Sequence, residues 1–507
     1  MPSMKQFWIL IACAVAVAFL LRWPQINESL WLDELHTAWC VSGNWGEIHQ
    51  RAQIGNHSPL YFFLPRLTTQ CLGLNEIALR LPSLIAGLLL VAVGGLLVWR
   101  WTESSAAAFL CAMLIAVDPV CIFYSQEARP YAWLQLCALC HLAVVAELSR
   151  SSSLRLRVAF ILGALTLIYL HYTAALFVFA EAVFLVGVAY SRRSNPSFSF
   201  RNLVTDFVVI AVCCIPAVIH ARAIMQHGNA WKSFVPDPSL VGLVQQSRLH
   251  TYLLWPLVGA VAAQFFESTR SKPAMQRSHS ALCLVATVFV LPWVIAWCVT
   301  EMNLSQVLFR RYLLPSYVAG LALASLLCAS MCCAWLRGGV AVLTVGMSLW
   351  SSGIVQHYSV DGKIHHDRQQ DWRSAVQFIN EHAKVDSDTV LVRGGFLEAD
   401  RLIHLHSTLF EDYNLAPVNN IYRLKIKARP VPTSPENWAT SLENELNSSL
   451  SSGRWIAFNG SAARREEFLS FVRQQLGARL SNTRFEFQRE FGDVMVVRMS
   501  SISSTQE

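Results

Sequence analysis

Charge is scarce in this 507-residue chain. Only 14% of its residues are Asp, Glu, Lys or Arg, whereas soluble proteins carry about 25%. With 54% apolar residues and a mean hydropathy of +0.39, that shortage excludes an ordinary soluble protein. Neither sign dominates: 40 basic residues face 33 acidic ones, for a net charge of +7. That balance argues against a nucleic-acid-binding face. Disorder and collagen-like repeats are excluded too, because apolar content is high and the 24 Gly and 19 Pro are scattered. No internal repeat is detectable, and the last third of the chain has no cysteine, so it is not a disulfide-stapled module.

The scarcity is uneven. Residues 1–355 hold 36 charged residues and 356–507 hold 37, or about 10% against about 24%. The two parts therefore read as a membrane domain, 1–356, and a C-terminal soluble domain, 357–507.

Apolar runs near 20 residues suffice to cross a hydrocarbon core of about 30 Å. Eleven are read here: 7–22, 80–99, 105–123, 131–148, 158–170, 172–190, 203–221, 249–266, 280–299, 312–333 and 339–356. The first follows Lys5 and lacks a small-residue cleavage site before Arg22-Trp23, so it reads as a retained anchor rather than a signal peptide. With the N-terminus inside, the inner loops collect Arg100; Arg150, Arg155 and Arg157; Arg192, Arg193 and Arg201; Arg270, Lys272 and Arg277; and Arg337. The outer side receives a long loop, 23–79, the links 124–130 and 300–311, and the tail. Cys40 and Cys71 fall in that long loop, where an oxidising compartment would let them bridge; two unpaired thiols are the alternative.

From about 364 the pattern is that of a small α/β unit. Helical spacing marks Trp372 to Ile379 and the run 461–480, while 389–392, 455–458 and 494–497 read as strands. Residues 406–450 look irregular. His365-His366 and His404-x-His406 are the only metal-like spacings there, and exposed polar histidines explain them as well.

Chemistry-bearing residues collect on the outer side. Trp31-Leu32-Asp33-Glu34-Leu35-His36-Thr37-Ala38-Trp39 puts two carboxylates between interfacial aromatics directly after a span. A carboxylate there could act as general base on a hydroxyl beside a lipid headgroup; an amphipathic helix whose acids face water is the alternative. Asn56-His57-Ser58-Pro59-Leu60-Tyr61 adds a polar His, by itself equally a turn residue. Tyr124-Ser125-Gln126-Glu127-Ala128-Arg129-Pro130-Tyr131 is a polar knot between apolar runs, either a loop ion pair or, through Arg129, a phosphate ligand. Arg310-Arg311-Tyr312 offers further cations, or snorkelling anchors. His171-Tyr172-Thr173 is another polar insertion.

Together these pieces resemble the GT-C superfamily of polytopic glycosyltransferases, of the dolichyl-phosphate-mannose–protein mannosyltransferase type (glycosyltransferase family 39) and its bacterial relatives. The likeness rests on Asp33-Glu34, His57-x-Pro59-Leu60-Tyr61, Arg80-Leu81-Pro82-Ser83, Ser125-Gln126-Glu127-Ala128-Arg129-x-Tyr131, His171-Tyr172-Thr173 and Arg311-Tyr312-Leu313-Leu314-Pro315. Asp371-Trp372-Arg373 also looks like the segment with which many bacterial members leave the membrane.

The resemblance implies an α-helical polytopic membrane protein of about 11 spans with an appended α/β domain. It implies a polyprenyl-phosphate-linked sugar donor, a hydroxyl acceptor and inversion at the anomeric carbon on the extracytoplasmic face. Carried over, Asp33 is the base or the carboxylate that positions the acceptor, Glu34 supports it and His57 lines the acceptor side, with Tyr61, His171 and Tyr172 as further pocket candidates. Arg129 and Arg311 hold the lipid phosphate, oriented by Gln126, Glu127 and Tyr312. Some relatives use a divalent metal, for which Asp33, Glu34 and His57 could supply ligands. The sequence shows no insertion between later spans of the kind that a lumenal sugar-binding domain needs, which favours a bacterial inner-membrane member. The chief rival class is a secondary transporter or lipid flippase, whose repeated halves the sequence does not show.

Overall fold

A computed structural model of the chain describes residues 4–191, 200–225, 238–266, 275–331, 333–364, 370–403, 407–447, 453–477 and 483–501. Arg192, Arg193, Arg270, Lys272, His365, His366, His404 and His406 lie outside the described residues. The chain forms two compact units, one of residues 1–25 and 82–365, the other of 26–81 and 366–507.

The first unit is helical. Among the described residues five helices are long and apolar enough to cross a membrane: Met4–Arg22, Glu76–Thr102, Tyr131–Leu148, Tyr172–Ser191 and His279–Glu301. Three bent pairs bring the number to eight if each is one span. Two bends have local causes. The 61° bend between Ser105–Val117 and Pro119–Ser125 falls where the Asp118 carboxylate accepts from the amides of Val120 and Cys121 and Pro119 starts a new helix. The 46° bend after Ser351 falls at Gly353, whose φ of 70° lies in the left-handed region. The remaining three apolar runs occupy helices under 18 residues, Leu154–Leu170, Leu254–Phe266 and Leu314–Ser330. Each of the eleven runs thus lies on helix, but eight helices or helix pairs, against eleven expected spans, have spanning length. Leu314–Ser330 is buried nearly all round, as an apolar helix at the centre of a bundle must be. Val208, Val212, Val218 and Ile219 are exposed, a distribution that suits lipid rather than water.

The second unit joins the first long loop to the tail. The expected boundary at residue 356 places the loop with the membrane helices, whereas residues 26–81 pack with 366–507, where Glu76 and the amides of Leu30 and Leu32 find partners in the tail. The tail carries a five-stranded mixed sheet of β1 (Thr389–Arg393), β2 (Lys427–Pro430), β3 (Arg454–Asn459), β4 (Thr483–Phe491) and β5 (Val494–Ser501), in the order β2-β1-β3-β5-β4. β1 runs parallel to β2 and β3, while β5 is antiparallel to β3 and β4. Every residue of β3 is buried, as an interior strand covered on both faces requires. Helices Trp438–Asn447 and Ala462–Leu476 lay Trp438, Leu442, Phe468 and Val472 against Ile456 and Phe458.

The strands expected near 389, 455 and 494 are β1, β3 and β5. Of the segment 406–450, expected to be irregular, the described residues 407–447 instead include helices Ser407–Asn414, Ala416–Asn419 and Trp438–Asn447 and the strand β2. Cys40 and Cys71 are unbridged: Cys71 is exposed, while Cys40 is buried with its Sγ 3.3 Å from His36 Nε2.

Candidate active site

In the second unit the helix Leu32–Ser42 presents Asp33 and Glu34 in its first turn, where the positive end of the helix dipole favours carboxylates. The two acids differ completely in surroundings. Glu34 is fully buried and takes a bidentate ion pair from Arg80, with Nε to Oε1 at 2.7 Å and Nη2 to Oε2 at 2.6 Å. Arg80, equally buried, gives its other donors to the backbone oxygens of Ile26, Glu28 and Ser29. All five guanidinium N–H groups thereby have an acceptor. Asp33 is only half-buried. Water-facing acids, the alternative reading of this segment, are therefore excluded for Glu34.

His57 is half-buried and stands 5.5 Å from the buried His36 ring, centroid to centroid, with Phe62 at 6.2 Å. Gly55 is required beside them, since a Cβ there would fall 2.0 Å from His36 Cε1. Tyr61 is buried in the short 3₁₀ turn Pro59–Phe62. Among the described residues no group of three or more His, Cys, Asp or Glu is placed to hold a metal ion. With the Glu34 carboxylate on Arg80, the set Asp33, Glu34 and His57 does not fit a divalent cation.

The loop is tied to the tail by buried polar contacts. Glu76 Oε1 accepts from Arg373 Nη2 at 2.6 Å and from the Tyr422 hydroxyl at 2.9 Å. Tyr422 in turn accepts from the Leu30 amide at 2.8 Å. Burial, with the Glu76 carboxylate beside it, pushes the Tyr422 hydroxyl well above the usual phenol range. Burial lowers the Arg373 guanidinium, but its bonds to Glu76 more than offset that and raise it. The Asp371-Trp372-Arg373 segment divides its labour: Asp371 caps the helix Trp372–His382, Trp372 is buried, and Arg373 holds Glu76. Gln370 Oε1 accepts from the Leu32 amide at 2.8 Å, fixing the start of the helix that bears Asp33.

In the first unit Gln126, Glu127 and Arg129 are all buried, just past the bent helix Pro119–Ser125. Gln126 donates to the Arg22 carbonyl at 2.7 Å, and the Arg129 carbonyl accepts from Ser83 at 3.1 Å. His171 Nδ1 lies 2.7 Å from Thr173 Oγ1, which donates to the Tyr312 carbonyl at 2.8 Å. The His171 ring stands 5.5 Å from Tyr312 and 5.9 Å from Tyr131. Arg311 and Arg129 both lie close enough to act electrostatically on His171. Arg129, Arg311, His171 and Tyr312 are therefore brought together. Tyr172 is not part of that group: its hydroxyl meets His220 Nδ1 at 2.7 Å.

The adjacent arginines are distinguished as the acids are. Arg310 donates through Nε to the Gln246 carbonyl at 2.7 Å and through Nη2 to that of Gln245 at 2.6 Å, at the negative end of the helix Leu240–Ser247. Arg311 lies over the rings of Phe309 and Tyr312, at 4.7 and 5.3 Å. Residue pattern singled out Asp33, Glu34, Arg129 and Arg311 but not the engagement of Arg80 with Glu34. An arginine at the mouth of an apolar run was the signal for it.

No protein-family model and no curated protein matches the chain. Among solved structures, ArnT from Cupriavidus metallidurans bound to undecaprenyl phosphate is 13% identical with a TM-score of 0.54, covering 98% of this chain and 99% of that one. The apo state of the same protein is 14% identical with a TM-score of 0.56, covering 98% of each chain. The likeness runs through both units and is one of fold. The chain shares the fold of that protein.

Proposed function

We propose, on the premise of that fold, that the chain is an inverting glycosyltransferase that moves a sugar from a polyprenyl-phosphate-linked donor to a hydroxyl acceptor. Asp33 takes the acceptor's proton as its oxygen attacks the anomeric carbon, and the bond from that carbon to the phosphate oxygen breaks with its electron pair leaving on the phosphate. Arg129 and Arg311 stabilise the charge that grows there, the type of interaction that usually supplies the largest catalytic effect. His57 and Tyr61 line the acceptor side, and Gln126, Glu127 and Tyr312 orient the cations.

The observation that carries the reading is the asymmetry of the acidic pair. Arg80 neutralises Glu34 and holds it buried, which leaves half-buried Asp33 on the same turn as the carboxylate suited to proton transfer. Glu34 acts through the ion pair that orients this turn, a positioning role rather than a catalytic one. The packing of the first loop with the tail supports a topology in which both lie on one side of the membrane. That requires an even number of crossings between residues 82 and 365, which the eleven-span reading satisfies. This reading has the protein in a bacterial inner membrane, with its N-terminus cytoplasmic and its C-terminal domain extracytoplasmic, the orientation favoured by the basic residues clustered in the short loops.

The test is transfer from labelled polyprenyl-phosphate sugars to acceptors in a membrane extract, comparing the wild type with Asp33→Asn. Transfer undiminished by the substitution removes Asp33 as the base. Solute uptake into vesicles without donor turnover would favour a transporter instead.

A further inference from the structure

The second unit contains a cavity of about 370 Å³ that the transfer reading does not use. It lies between the first loop and the tail segment 412–423, and its lining includes Arg51, Arg66, Thr69, Asp412, Asn420 and Arg423. Three guanidinium groups line it with one carboxylate, and Glu47, outside the lining, pairs with Arg51 at 2.9 Å, so the charge in excess is that of Arg66 and Arg423. The lining carboxylate is already engaged, since Asp412 Oδ2 accepts from Trp39 Nε1 at 2.7 Å and pairs with Arg51 at 3.4 Å.

Part of this charge serves the fold. Arg51 and Arg66 donate to the carbonyls of Trp39 and Val41, the unsatisfied end of the helix Leu32–Ser42. The rest has no such use. Arg66 Nε and Asn420 Nδ2 are buried donors without an acceptor among the described residues, although buried polar groups in native proteins nearly always have one. Arg423 is exposed and its guanidinium has no recorded acceptor among the described residues. Unused donors and excess positive charge thus converge on one cavity. Its volume lies near the lower end of small-molecule pockets, roughly 300–1,000 Å³, with room for more than a bare ion. The cavity touches Val41 and Ser42, at the far end of the helix that bears Asp33. At 1.5 Å per residue that is about 14 Å from the proposed base.

We propose that this cavity is an anion site for a phosphate ester, held by Arg66 and Arg423 with Asn420 as a neutral donor. Guanidinium forks match phosphate oxygens in geometry and keep their charge at any physiological pH. The ester is either a soluble phosphate-bearing compound or a lipid headgroup, since both present the same group. The site does not depend on the transfer reading, because its occupancy is measured without donor or turnover.

Full-length protein in maltoside micelles would be titrated with radiolabelled inorganic phosphate and with glycerophosphate. Saturable binding is expected, weakened about tenfold or more by Arg423→Gln and by Arg66→Gln and partly restored in Arg423→Lys. The Arg423-dependent component should persist in Arg129→Ala. The Arg423 side chain makes no bond among the described residues, so Arg423→Gln should unfold at the wild-type temperature, which separates loss of binding from loss of fold. Equal binding by wild type and both Gln variants overturns the proposal. So does a signal lost in Arg129→Ala but kept in Arg423→Gln, which would place the anion in the other unit. Adding phosphatidylglycerol to the micelles separates the sources: competition against glycerophosphate identifies a headgroup, and undisturbed glycerophosphate binding identifies a soluble ester.

Discussion

Arg22 and Arg80 are both completely buried, one in each unit, and the protein accommodates them differently. Arg22 donates to the carbonyls of Ala18, Ala116 and Ile115 and to the Ser125 hydroxyl, so its bonds go to helix ends and a side-chain dipole. Arg80 combines three carbonyls with a bidentate carboxylate. The first arrangement joins helices of the apolar unit to one another without committing an acid. The second consumes one acid of an adjacent pair and in doing so sets the other apart. Buried Arg22 is thus part of the helix packing, whereas buried Arg80 fastens one acid of a pair and leaves its neighbour half-buried.

Six substitutions sharpen that contrast. Asp33→Asn should lower transfer by about 10²–10⁴-fold, the usual contribution of a general base, with thermal unfolding unchanged. Activity loss matched by unfolding would instead put Asp33 with Glu34 in a structural role. Arg80→Ala leaves Glu34 as an unpaired buried charge and should destabilise the second unit by about 3–5 kcal/mol. Hydrogen exchange should then rise across 26–81 and 366–507 while the helices around Leu314–Ser330 keep their protection; uniform exposure of both units would erase the distinction.

Arg311→Ala or Arg129→Ala should weaken donor use about ten- to hundredfold, as expected for charge-assisted bonds of roughly 1.5–3 kcal/mol. Arg310→Gln should leave the donor KM unaltered; if the two arginines prove interchangeable, Arg311 has no distinct phosphate role. The smallest effect expected is that of Tyr422→Phe, about 1 kcal/mol from the lost bond to Glu76. Its sign with pH is defined. The Tyr422 hydroxyl is raised in the fold, so its contribution is intact below the ordinary phenol value near pH 10 and falls above it, as the unfolded chain ionises first. Denaturant midpoints compared at neutral and alkaline pH should therefore converge for wild type and Tyr422→Phe as pH rises; curves that stay parallel would deny Tyr422 that role.

Much of the fold was legible in the sequence. Apolar run length and helical spacing are local properties, and each of the eleven runs lies on helix. β1, β3 and β5 were visible because they are short apolar runs set between breakers. β2 was not, since Lys427-Ala428-Arg429-Pro430 is an edge strand whose Pro and charges read as loop. β4, the other edge, alternates apolar Phe485 and Phe487 with polar neighbours, a short half-polar pattern that is weaker than a continuous apolar run. The helix Trp438–Asn447 was obscured by the Asn, Ser and Pro around it, although Trp438 and Leu442 stand one turn apart and both are buried.

By itself the sequence determined the membrane character, the helical runs, the change of composition near residue 356 and the short set of polar residues worth questioning. Composition and spacing could not separate Asp33 from Glu34, or Arg310 from Arg311, because neighbours in sequence share the same local signal; only the resemblance gave them different roles. The tertiary structure separated them by bringing partners from afar. Arg80, 46 residues away, fastens Glu34, and Gln246, 64 residues away, occupies Arg310. Burial makes those choices decisive, since a charge withdrawn from water must be met by fixed partners, and only the folded chain determines where those partners are.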